Sequence, residues 1–85
     1  MAKYPCRVCG LEQGIDQWNP PSLAICGCCA TEFGLSDRTL EEVRNTRMAW
    51  LIEGAGWFKP KDRPESWHSI DDLVKQLKDI PFEWL

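Results

Sequence analysis

Apolar residues recur at helical spacing in two stretches of the chain. Leu40, Val43, Trp50 and Leu51 fall on one face, which predicts a helix within residues 36–54. Thr39 followed by Glu42 fits a capping box at its start, Glu41 and Glu42 suit the positive end of the dipole, and Gly54 and Gly56 supply a stop. Ile70, Leu73, Val74 and Leu77 repeat the pattern in a shorter helix, with Ser69 as N-cap and Pro81 as terminator. The tail Phe82-Glu83-Trp84-Leu85 is aromatic and is expected to pack back. Between the helices, residues 57–68 read as a connecting loop: Pro60 and Pro64 exclude a continuous helix, and Trp57, Phe58 and Trp67 are apolar anchors.

Residues 1–33 have no such period. Tyr4, Val8, Ile15, Trp18, Leu23, Ile25 and Phe33 are placed to cover one side of a small sheet, with residues 22–26 the best strand candidate. The predicted fold class is α+β: a four-cysteine zinc-ribbon or knuckle-like part with a short β-sheet, packed against two α-helices. One domain spans residues 1–85, with 1–33 the zinc-binding part and 34–85 the helical part.

Length changes this picture. A chain of 85 residues builds a core worth roughly 3–5 kcal/mol over chain entropy, so a staple is expected. Five cysteines are the candidates. Cys6 and Cys9 form C-x2-C, as do Cys26 and Cys29, with sixteen residues between the pairs. That spacing reads as a zinc site, because two tight turns each present two sulfurs to one ion. Gly10 follows the first pair, where positive φ is commonly wanted; Ala30 stands in the matching place, so that turn either differs or is strained. Four thiolates close the coordination shell, which predicts one structural Zn2+, with a single iron as the other ion such a tetrahedron holds. Cys28, between the ligands of the second pair, reads first as a small buried thiol. The alternatives are a substitute ligand or a redox thiol. His68, the only histidine, reads as a surface or satisfied loop residue unless it replaces a cysteine.

The segments Tyr4-Pro5-Cys6-Arg7-Val8-Cys9-Gly10-Leu11, Pro21-Ser22, Ile25-Cys26-Gly27-Cys28-Cys29, Glu32-Phe33-Gly34 and Trp50-Leu51-Ile52-Glu53-Gly54-Ala55-Gly56-Trp57-Phe58, with Ile80-Pro81, resemble the bacterial cysteine-rich CPCC family. Gly27 and Arg7 stand where that family commonly has proline. The resemblance implies a small intracellular protein. Because some members lie near toxin loci, it also implies an immunity role in which a toxin is neutralised.

Charge and composition narrow the function classes. The formal net charge is −3, and four thiolates around a divalent ion make the loaded protein more acidic. This disfavours anionic membranes and nucleic acid, although Lys59, Lys61 and Arg63 with the loop aromatics leave a nucleic-acid surface as one alternative. The N-terminal residues lack the apolar stretch of a secretory signal, and no apolar run reaches the roughly 20 residues of a membrane span. The expected compartment is therefore the reducing cytosol, where the cysteines do not read as disulfides. Catalysis finds little support: Gly54-Ala55-Gly56 is no phosphate loop, and Ser69, His68 and Asp71 are too close in sequence for a triad. Five tryptophans serve a small core first, and partner binding second. The reading is a non-enzymatic, zinc-stabilised protein-binding module without a small-molecule substrate, with a thiol-based redox or metal sensor as a further alternative. Trp57, Phe58, Trp67, Arg44 and Arg47 are the candidate partner-binding residues, the arginines otherwise covering the helix face with their stems.

Overall fold

Capping residues set where both helices begin. In the computed structural model, which describes residues 3–67 and 69–85, helix α1 spans Leu40–Ile52 and helix α2 spans Ile70–Leu77. The Thr39 hydroxyl accepts from the Glu42 amide (3.1 Å), and the Glu42 carboxylate accepts from the Thr39 amide (3.2 Å). Ser69 and Asp72 form the same reciprocal pair at α2. Both boxes satisfy amides that a helix leaves without internal partners. Gly54, at φ +104, turns the chain out of α1 in the left-handed conformation that glycine adopts without strain. One-turn 3-10 helices occupy Pro60–Asp62 and Phe82–Trp84. No helix among the described residues is long and apolar enough to cross a membrane.

The predicted β-sheet is not formed, and the α+β class is corrected accordingly. Among the described residues there is no strand, only three isolated antiparallel bridges: Pro5 with Glu12, Trp18 with Pro21, and Ile25 with Glu32. Local chemistry explains this. Two of the bridges involve prolines, which have no N–H to extend a ladder. Within residues 22–26, Leu23 takes φ +59, which breaks an extended run. The positions assigned to a covered sheet face divide: Val8 and Phe33 are buried, while Ile15, Leu23 and Ile25 are exposed.

The core is built on the cysteines. All five are buried, together with Val8, Phe33, Val43, Trp50 and Ala55. Half of that cluster is thiol, so apolar burial alone supplies little of its cohesion. Helix α1 lays Val43 and Trp50 on it, while Leu51 points outward. Helix α2 faces it through Leu73, Gln76 and Leu77; Ile70 and Val74 are exposed. The apolar stripe of α2 is thus rotated from the predicted one, because the buried Gln76 amide engages Cys28.

The C-terminal segment packs back as expected. Arg47 fastens it: its guanidinium donates to the Trp84 carbonyl (2.6 Å) and the Leu85 carbonyl (3.2 Å), and on the other side to the carbonyls of Val8 (2.7 Å) and Arg7 (2.8 Å). Arg7 lies over both the Trp84 ring (4.1 Å) and the Trp18 ring (4.8 Å). The buried Asp37 carboxylate accepts from Trp18 Nε1 (2.6 Å) and the Gly34 amide (2.7 Å).

Candidate metal centre

Two turns of the same geometry carry the four cysteines. In the first, the Cys6 amide donates to Leu11 O (2.8 Å) and the Gly10 amide to Cys6 O (2.9 Å). In the second, the Cys26 amide donates to Thr31 O (2.9 Å) and the Ala30 amide to Cys26 O (3.1 Å). Gly10 and Ala30 both take positive φ, +86 and +65, so the alanine turn does not differ; it is the strained one.

These turns bring Cys6, Cys9, Cys26 and Cys29 together, with all four ligand atoms within 4.8 Å of one another. Cys6 Sγ lies 3.6 Å from Cys29 Sγ, and Cys9 Sγ 3.7 Å from Cys26 Sγ. A tetrahedron with Zn–S bonds of about 2.3 Å has edges of roughly 3.8 Å. The donor set fits one ion, and both close pairs join one turn to the other. All five cysteines are free thiols.

Each turn also supplies hydrogen bonds to sulfur. The Val8 amide donates to Cys6 Sγ (3.4 Å), Gln13 Nε2 lies 3.6 Å from Cys26 Sγ, and Thr31 Oγ1 lies 3.0 Å from Cys29 Sγ. Such donors orient metal-bound thiolates and spread their charge. The sequence reading missed Gln13, Thr31 and Gln76. The first two follow the turns closely enough to have been found by position, but nothing local marks Gln76.

Without an ion, the sulfurs hold their protons unequally. The Cys26 thiol is pulled far below the ordinary value, first by the hydrogen bond from Cys29 and then by those from Cys6 and Cys9. Cys6 and Cys9 are pushed far up, each first through its hydrogen bond to Cys26. A divalent ion must displace those protons to bind four thiolates.

Cys28 occupies, in the second turn, the place that Val8 holds in the first, and both are buried. Its sulfur accepts from Gln76 Nε2 (3.3 Å), and Gln76 Oε1 accepts from Trp67 Nε1 (3.1 Å). It is therefore a core side chain bound to α2. His68 lies outside the described residues.

The loop aromatics are held by the same turn. The Phe58 amide donates to Cys28 O (3.0 Å) and the Lys59 amide to Gly27 O (2.8 Å). Trp57 and Trp67 are half-buried and pack edge to face, with ring centroids 5.4 Å apart. The Trp57 Nε1 is buried without a hydrogen-bond partner. Of this loop trio only Phe58 is well exposed, at 54%. Arg47 is engaged with four backbone carbonyls, and Arg44 Nε donates to the Leu85 carbonyl (3.0 Å).

No protein-family model, curated protein or solved structure matches the chain.

Proposed function

We propose that this chain is a non-enzymatic, zinc-stabilised protein-binding module of the kind that its resemblance to the bacterial CPCC family implies. One observation carries the reading. Four buried cysteines converge on a single point and provide all the ligands that a structural zinc takes, leaving no coordination position for water or substrate. The centre lies within the core, so its part is to hold the fold and thereby the outer surface. That surface includes the exposed Phe58, tied to the second cysteine turn by its own amide and that of Lys59, and the exposed Met48, Leu51 and Ile52 of α1. Exposed apolar side chains on a rigid frame suit a protein partner better than a charged polymer. A toxin as that partner follows from the family resemblance alone.

Elemental analysis of the purified protein tests the carrying observation, with one zinc per chain expected. A red iron-loaded protein, or one with no metal, defeats the zinc assignment. The partner is tested by capture from the native host. Wild type retains a specific protein that Phe58→Ser and Ile52→Glu lose while keeping full metal content. Capture unaffected by both variants removes this surface from the reading.

A further inference from the structure

The metal centre is not equally sealed on all sides. Cys6, Cys9 and Cys26 are fully buried and Cys28 is 1% exposed, whereas Cys29, whose sulfur contacts the buried Thr31 hydroxyl, is 8% exposed as a residue. Cys29 borders a groove of about 380 Å³ beside α1, walled by Asn45, Thr46, Ala49 and Trp50 of that helix and by its C-cap Glu53. A second groove, about 250 Å³, shares Cys29, Trp50 and Glu53 and continues past Ala30 to Phe58. Cys28 borders only this second groove, and its sulfur is capped by Gln76. Across the centre, Cys6 Sγ lies 3.6 Å from Cys29 Sγ.

We propose that Cys29 is the reactive thiolate of the metal centre, where peroxides and other small soft electrophiles attack, and that Cys6 captures the oxidised sulfur as a disulfide and so expels the metal. The inference rests on the metal reading above. Its chemistry is balanced by hydrogen peroxide as the two-electron oxidant. The Cys29 thiolate attacks one peroxide oxygen; the S–O bond forms, the O–O bond breaks, and hydroxide leaves. The Cys6 thiolate then attacks the Cys29 sulfur; the S–S bond forms, the S–O bond breaks, and a second hydroxide leaves. Two thiolates have lost two electrons and the peroxide has gained them. The ion keeps only Cys9 and Cys26, and a two-thiolate site holds zinc far more weakly than a closed four-thiolate one.

Release would reach the surface through the second turn. Its Gly27 and Cys28 carbonyls hold the Lys59 and Phe58 amides, so loosening that turn frees the segment bearing the exposed aromatic. A peroxide signal would thus be read as loss of the surface at Phe58.

The test is made on the protein as purified, with its metal content measured separately. It is treated with substoichiometric N-ethylmaleimide or peroxide, quenched, and mapped by peptide mass spectrometry, while a metallochromic dye follows zinc release. Cys29 is expected to react at least about tenfold faster than any other cysteine, since susceptibility follows exposure of the thiolate. Under peroxide the first disulfide joins Cys6 and Cys29, with zinc released in step. Cys29→Ser removes a ligand and will not report cleanly, so the groove is filled instead. Ala49→Trp, at an exposed position of α1, keeps all five thiols and should slow both labelling and release roughly tenfold. Earlier or equal labelling of Cys28, a first disulfide between another pair, or an unchanged rate in Ala49→Trp overturns the proposal and leaves the metal reading intact. Absence of metal defeats that reading, and the labelling order is then still scored on the folded protein.

Discussion

The two cysteine turns have nearly the same backbone, and both have their middle carbonyls bound, by Arg47 in the first and by the Phe58 and Lys59 amides in the second, but they differ in how their last corner is enclosed. Cys6–Gly10 and Cys26–Ala30 repeat one hydrogen-bond scheme and one positive-φ position. The first turn is enclosed: Arg47 binds its carbonyls, and α2 lies so close that a Cβ on Gly10 would meet the Gln76 carbonyl oxygen. The second is enclosed at Cys28 and open at Ala30, which is exposed. Glycine is therefore required at position 10 twice over, by conformation and by space. At position 30 only conformation applies, and alanine is tolerated with some strain. An identical local fold thus imposes different sequence constraints once its neighbours differ.

Removing what both turns share should have the largest effect. Chelation, or serine at Cys6, Cys9, Cys26 or Cys29, is expected to abolish the folded circular-dichroism and NMR signals, since structural zinc contributes on the order of 10 kcal/mol to small domains. A chelated sample with its full folded signal would break the comparison at its root. Acid should act in the same direction. Cys6 and Cys9 are pushed up by their hydrogen bonds within the cluster and hold their protons strongly, and the bound state has none to hold. Protons therefore compete with the ion, and zinc affinity, measured by competition titration, should fall as pH falls.

Next comes the brace found only on the first turn. Arg47→Met leaves the carbonyls of Arg7, Val8 and Trp84 without their charged donor and should cost about 3 kcal/mol in denaturant unfolding. Arg44→Met, which loses one exposed contact to Leu85, should cost less than about 1 kcal/mol.

The matched pair Gly10→Ala and Ala30→Gly tests the asymmetry directly. Gly10→Ala forces α2 away from the turn and should destabilise by about 1–3 kcal/mol. Ala30→Gly relieves a left-handed alanine while loosening the unfolded chain, so a net change within about 1 kcal/mol is expected. Equal losses from both would mean that the enclosure of the first turn has no energetic weight. Cys28→Ser keeps an acceptor for Gln76 and should cost about 1 kcal/mol with metal content unchanged; lost metal would make Cys28 a ligand after all.

Much of this protein was written locally. The C-x2-C spacing named the four converging sulfurs, because a tight turn of fixed length leaves two side chains on one side whatever surrounds it. Thr39 and Ser69 marked helix starts through bonds made within three residues. The sheet was misjudged because apolar residues around the cysteines look alike whether they line a strand or a turn, and Leu23 carries no mark of its positive φ. The partners of Arg47 and Gln76 and the grooves beside Cys29 could not be read in advance. Each depends on at least one group more than twenty residues away, brought close only by the folded chain. Spacing along the chain determined which sulfurs could meet an ion and where the helices start. The tertiary structure alone decided how tightly each turn is enclosed, because burial depends on what packs against a turn and not on the turn itself.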